Sequence, residues 1–295
     1  MSKKQPGIFM VIWGPSKSGK TTATGAIGAS GHFLAHEGGL LPLKCFLGLE
    51  EVSFETPKDV THAASIMRKL AGKVPTIVVD DFSLMIEQTV AQLETKHSFG
   101  EMWRKLRKHV LDVRDAARSA THEGTHVIFN CHESPARTSS GKYVRGGPQM
   151  PGQLPEQFSA FADIVAKVEF DGTAAPWKYL LRTGPSSEYI SGDRLAIFPD
   201  PAPMNLAEAL RLSGYEIPRP KGLEWQEPIV SKLCDKICAE GIENWREVLK
   251  PAAQKLRSKY AIPHVRWTLQ DSLHRAILMN AQDSIDGMFD SGEEW

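Results

Sequence analysis

The stretch "IFMVIWGPSKSGKTTATGAIGAS", residues 8–30, limits the possible folds more than any other part of the chain. A continuous apolar run enters a glycine-bearing turn and leaves it through small residues that open a helix, the habit of a buried strand feeding a helix. The turn reads G-x-x-x-x-G-K-[ST], written here by Gly14, Pro15, Ser16, Lys17, Ser18, Gly19, Lys20 and Thr21, with Thr22 after it. Glycines let the backbone curl until successive N–H groups point inward at the positive end of the next helix, which makes an anion nest. Lys20 is expected against the β- and γ-phosphates, and the Thr21 hydroxyl is expected to ligate a magnesium ion that keeps most of its waters. The implied ligands are a nucleoside triphosphate and Mg2+.

A chain of 295 residues can hold one large α/β domain and something smaller. Its formal net charge is zero, so any affinity for nucleic acid has to come from a local patch. Four cysteines, Cys45, Cys131, Cys234 and Cys238, are too few and too scattered for a disulfide framework or a zinc site. Two of them fall in strand-like apolar runs, and a reducing cytoplasm is the expectation. The start "MSKKQPGIFMVIWG" mimics a secretion signal, but its apolar run is short and enters the phosphate loop directly, so a core strand is expected. No stretch approaches a membrane span.

Apolar runs alternate with helix-period segments for about two hundred residues, as in a parallel sheet covered on both faces. Strands are expected near 8–13, 43–49, 76–80, 126–131, 164–170 and 178–182, with helices at 21–29, 57–70 and 100–120. The last would carry Trp103, Leu106, Val110, Val113 and Ala117 on one face. Residues 1–217 thus form an α/β core with a mainly parallel sheet. Pro218, Pro220 and Gly222 mark a linker over 218–224. A small helical appendage over 225–282 follows, with helices at 227–240, 244–260 and 268–281. Residues 283–295, acidic and without a basic residue, read as a flexible tail that can recruit a protein partner.

Hydrolysis needs more than a phosphate loop. The run "PTIVVDDF" ends an apolar strand in acids, which places a carboxylate beside the nucleotide's magnesium shell. Asp80 is favoured; Asp81 faces the other way or caps the next helix. For the base, "KCFLGLEEVSFE" is read as the strand after the first helix, ending in Glu50 and Glu51 at the sheet edge where open α/β folds bind ligands. Alternation lets one of the pair point inward, and Glu50 is favoured. The strand in "THVIFNCHES" ends in Asn130 and His132, either of which can sense the γ-phosphate.

Together, "GPSKSGKTT", "CFLGLEE", "TIVVDDFS" and "HVIFNCHES" resemble the RecA-type ATPase core in its order of phosphate loop, catalytic-glutamate strand, aspartate strand and polar-tipped strand. "GGPQMPGQLPEQFSAFADIVAKV" and "YLLRTGPSSEYISGDRL" resemble phage-encoded RecA-like proteins that include single-domain recombinases assisting single-strand annealing. The resemblance covers residues 7–215. It implies ATP as the nucleotide, Glu50 as the water-activating glutamate, Asp80 as the magnesium-associated aspartate, and the cytoplasm of an infected bacterium as the setting. It also implies a DNA-contacting loop after the polar-tipped strand, where Arg137, Lys142 and Arg145 supply charge and Tyr143 can stack on a base of single-stranded DNA. A homo-oligomer, ring or filament, would complete each site with a neighbour's cation, for which Lys178, Arg182 and Arg194 are candidates. A kinase of small molecules or nucleotides, with 136–145 as a cationic lid, and a non-enzymatic ATP-gated module are the competing readings.

Overall fold

In the computed structural model, which describes residues 5–139, 141–170 and 179–290, the apolar run becomes strand β1 (Phe9–Gly14) and the small residues become helix α1 (Lys20–Gly28). Side chains alternate across a strand. Ile8, Met10 and Ile12 accordingly pack on one face of the sheet with Ala26 and Ile27 of α1, while Phe9, Val11 and Trp13 enter a second core on the other face. Every one of the six is fully buried, so β1 is the central strand its continuous hydrophobicity implies.

After α1 the chain departs from expectation. The next strand is β2 (His32–Ala35), and the segment expected as a strand at 43–49 is helix α2 (Leu41–Leu47). Leu40, Leu43 and Leu47 recur at helical spacing and are all buried; Pro42 sits in the first turn, and Gly48, at φ +67°, closes the helix by donating its N–H to the Leu43 and Lys44 carbonyls. Cys45 is therefore exposed on a helix and not within a strand. Strand β3 (Phe54–Glu55) follows, then α3 (Val60–Leu70), which starts later than expected because Asp59 accepts a hydrogen bond from the His62 N–H as its N-cap. Strand β4 (Thr76–Asp80), helices α4 (Phe82–Glu94) and α5 (Phe99–His122), and strand β5 (His126–Ser134) complete this half. The expected face of α5 is buried at Leu106, Val110, Val113 and Ala117, with Trp103 at its margin.

Short strands β6 (Arg137–Ser139) and β7 (Lys142–Val144) pair only with each other, and β8 (Gly147–Pro148) returns to β5. Helix α6 (Leu154–Ser159) leads to β9 (Ile164–Phe170); β10 (Tyr179–Arg182), β11 (Gly192–Asp193) and β12 (Ala202–Pro203) add antiparallel pairings at that side. The main strand order is β12-β10-β9-β1-β5-β4-β2-β3, parallel from β9 to β3. Strand β5 thus lies between the phosphate-loop strand and the aspartate strand. That is the RecA-like arrangement; simple kinases place the two motif strands side by side.

Helix α7 (Leu206–Leu212) packs on the α1 face, followed by α8 (Gln226–Glu240), α9 (Trp245–Arg257) and α10 (Ile262–Asp290). These last three share a small core of Cys234, Ile237, Val248, Leu249, Leu273 and Ala276, while Trp267 and Leu278 of α10 reach into the main core. A buried ionic cluster reinforces this docking. Glu208 of α7, wholly buried, accepts hydrogen bonds from Arg211 at 2.5 Å, Arg219 at 3.0 Å and Arg275 of α10 at 2.5 Å, and Arg219 also pairs with Asp271. The acidic segment read as a tail from Asp283 continues α10 as far as Asp290; residues 291–295 lie outside the described residues. No helix among the described residues is long and apolar enough to cross a membrane.

Candidate nucleotide site

The loop between β1 and α1 is held close to the sheet. A Cβ on Gly14 would stand 2.8 Å from the Val168 Cβ on neighbouring β9, so only glycine permits this approach. Lys17 at φ +63° and Gly19 at φ +85° then curl the backbone through left-handed conformations into the first turn of α1. The buried Lys20 ammonium braces the curl, donating to the Gly14 carbonyl at 2.9 Å and the Pro15 carbonyl at 2.8 Å. Desolvation lowers its pKa from the ordinary lysine value, against the opposing pull of Asp81 and Asp80.

Thr21 and Asp80, 59 residues apart in sequence, meet here: the Thr21 hydroxyl donates to Asp80 Oδ2 at 2.7 Å. Burial raises the Asp80 carboxyl above the usual carboxylate range, while hydrogen bonds from Thr21 and Asn130 act the other way. Asn130, wholly buried on β5, donates from Nδ2 to Thr24 Oγ1 at 2.9 Å and so links the intervening strand to α1; its Oδ1 has no partner among the described residues. Asp81 takes a different part. Its Oδ1 caps α4 by accepting from the Ser83 N–H at 2.8 Å, and its Oδ2 pairs with His132 Nε2. Desolvation raises the Asp81 carboxyl, and His132 is the largest opposing influence. His132 thus lies in register with Gly14 of the loop and pairs with Asp81 at the start of α4, while Asn130, two residues earlier on β5, contacts Thr24 of α1.

A magnesium ion suits this chemistry. A hydroxyl and a buried carboxylate are hard oxygen donors, and a divalent cation beside them relieves the cost of ionising Asp80 out of water. Thr21 Oγ1 and the Asp80 carboxylate are the two side-chain oxygen donors that would hold such an ion.

Other expected site residues lie elsewhere. Glu50 follows a helix, not a strand, and is exposed, so the reason for placing it at the sheet edge no longer holds. The strand after α1 is β2, whose Ala35 lies in register with Asp80; two residues further, Glu37 opens a short 3-10 turn at that edge. Sequence reading passed over it because β2 has only four residues and the apolar run at 40–49 is longer. Arg137, Lys142 and Tyr143 lie on the β6–β7 hairpin and not on an irregular loop, with Tyr143 56% exposed. Arg145, just beyond it, pairs with Glu156 at 3.2 Å. Arg182 binds Glu169 at 2.7 Å, Arg194 donates to the Ala160 carbonyl at 2.6 Å, and Lys178 lies outside the described residues.

A family profile described as an AAA domain matches residues 7–195, more than half of the chain. The chain belongs to the AAA domain family. The AAA domain span contains the loop, Asp80, Asn130 and Glu37 and ends before α7, so α7 to α10 lie beyond it. Nucleotide binding is what this family membership implies for the loop. Among curated proteins none matches the sequence. Among solved structures, a RadB recombinase is 17% identical with a TM-score of 0.39, over 61% of this chain and 89% of its own. The flagellar accessory protein FlaH of Methanocaldococcus jannaschii is 10% identical with a TM-score of 0.40, over 64% and 80%. A KaiC-like protein of Pyrococcus horikoshii is 15% identical with a TM-score of 0.38, over 60% and 78%.

Proposed function

We propose that this chain binds and hydrolyses ATP with Mg2+ and acts on single-stranded DNA in recombination or replication of the phage type, as a homo-oligomer. The observation that carries the reading is the contact between Thr21 of the phosphate loop and Asp80 of the aspartate strand across an intervening strand. Lys20, released from the Gly14 and Pro15 carbonyls, serves the β- and γ-phosphates, and Thr21 with Asp80 would hold a magnesium ion, which would supply neutralisation of phosphate charge. Glu37 takes the role the sequence resemblance gave to Glu50. Its carboxylate accepts a proton from water as the water oxygen attacks the γ-phosphorus and ADP leaves. Asn130, bridging α1 and β5 beside Asp80, is the candidate reporter of the γ-phosphate.

DNA contact is assigned to the hairpin carrying Arg137, Lys142 and exposed Tyr143, with Arg145 at its base. The test is steady-state ATP turnover with and without single-stranded DNA across a salt series. Turnover is expected to rise with DNA, and the triple variant Arg137→Ala, Lys142→Ala, Arg145→Ala is expected to weaken DNA binding and flatten its salt dependence. Turnover indifferent to DNA, or a salt slope unchanged in the variant, removes DNA from the reading.

A further inference from the structure

Cys234 and Cys238 are four residues apart on α8, so their sulfurs stand on one face of the helix, a single turn from each other. That face meets α10. There the Cys234 thiol donates to Met279 Sδ at 3.5 Å, across 45 residues of sequence, and Cys238 shares a further hydrogen bond with Cys234. Three sulfurs from two helices are thus gathered at one place.

The surroundings of this group are dry on one side and open on the other. Cys234 is buried in the small core of the helical unit with Ile237, Leu273 and Ala276, whereas Cys238 is exposed and leaves a way in. Burial pushes the Cys234 thiol up to about 12, with Cys238 adding to the effect and Arg275 opposing it. At neutral pH Cys234 is therefore a thiol, and a cation is held there only if it can displace the proton. Hard cations such as magnesium need oxygen donors, and zinc takes four nitrogen, sulfur or carboxylate ligands. Two thiolates and a thioether suit a soft ion, Cu(I) above all. The separation of 3.5 Å between the Cys234 and Met279 sulfurs lies within reach of two metal–sulfur bonds of about 2.3 Å each.

We infer that Cys234, Cys238 and Met279 form a three-sulfur site for Cu(I), which ties α8 to α10 when occupied. Binding forms a copper–sulfur bond to each cysteine and a third to the thioether, releases one proton from each thiol to solvent, and leaves copper and sulfur in their original oxidation states. The site then carries one net negative charge, which Arg275 near Cys234 offsets. The apolar floor keeps water from the ion.

The test titrates Cu(I), without oxygen and with a reductant that contains no thiol, into the full chain against the chromophoric chelator bicinchoninate. Cys45→Ser serves as the background, because Cys45 is the other exposed thiol among the described residues. One copper per chain is expected to be withheld from the chelator, and the thermal unfolding midpoint is expected to rise with it. Added to that background, Cys238→Ser and Met279→Leu should each weaken retention by about tenfold or more and remove the rise in midpoint. Cys238 is exposed and Met279→Leu nearly conserves volume, so both variants should keep the wild-type circular dichroism. Equimolar Zn2+ should not displace the copper. Copper left wholly to the chelator, retention unchanged in either variant, or displacement by equimolar zinc would each overturn the site.

Discussion

Lowering the pH should destabilise this protein through His126 over a window set by the structure. The His126 ring is 6% exposed, sits at the start of β5, and accepts the Ile8 N–H at Nδ1, 3.2 Å away, which requires the unprotonated nitrogen. Burial lowers its pKa from the ordinary 6.5 to about 4. The folded state therefore prefers the neutral ring. The stability this gives is fully present above pH 6.5 and is lost as the pH falls through about 4, a total of about 3 kcal/mol at about 1.4 kcal/mol per pKa unit. His274, equally buried and also held at about 4, adds a second contribution of the same sign. Burial raises the carboxyls of Asp80, Asp81 and Glu208, whose protonation works in the opposite direction, so total stability against pH mixes both signs. The difference between wild type and His126→Gln isolates the imidazole, because glutamine retains an acceptor that does not titrate. Urea unfolding from pH 7 to pH 4 is the assay. Between pH 6.5 and 4 the wild-type slope is expected to exceed that of the variant by about 1.4 kcal/mol per pH unit, one proton. Parallel curves would refute the claim that the folded state keeps this ring neutral.

Lys20→Ala should abolish ATP binding by calorimetry while shifting the urea midpoint little, because the ammonium braces a surface loop and fills no core; turnover near the wild-type rate would contradict the assignment. Glu37→Gln should lower ATP turnover by about a hundredfold or more and leave nucleotide affinity intact, whereas Glu50→Gln should leave both unchanged; the reverse outcome would return the base to the loop after α2. Glu208→Ala strands Arg211, Arg219 and Arg275 without their shared carboxylate and should cost about 3–5 kcal/mol of stability, read by chemical unfolding with tryptophan fluorescence. Gly25→Leu should destabilise by about 1–3 kcal/mol in the same assay, because even a Cβ there would meet Leu43 Cδ2 at 2.1 Å.

The legible parts of this fold were those where sequence order and physical cause coincide. β1, Ile77–Val79 of β4 and Val127–Phe129 of β5 are continuous apolar runs because they are buried on both faces, and the phosphate loop is local, so its seven-residue spacing survives translation into space. Asp80 and Asp81 were separable in principle by strand alternation, and the structure gives one to Thr21 and the other to the α4 cap. The strand expected at 43–49 misled because Leu43 and Leu47 belong equally to an apolar strand and to a helix face, and only the flanking Pro42 and Gly48 argue for the helix. β2 escaped because four residues carry too little periodicity, and with it went Glu37. The ionic cluster around Glu208 joins residues from three separate segments and leaves no pattern that one sequence can display.

Glu208 sits thirteen residues past the end of the AAA domain match, on a helix that packs beneath α1. Shortening the chain to the matched span would strip Leu206, Ala207 and Leu210 from the flank of the very helix that presents Lys20 and Thr21, and would bare Ala26 and Ile27 to water. The phosphate loop and its Thr21–Asp80 contact are in that sense propped from behind by segments that lie past the matched span.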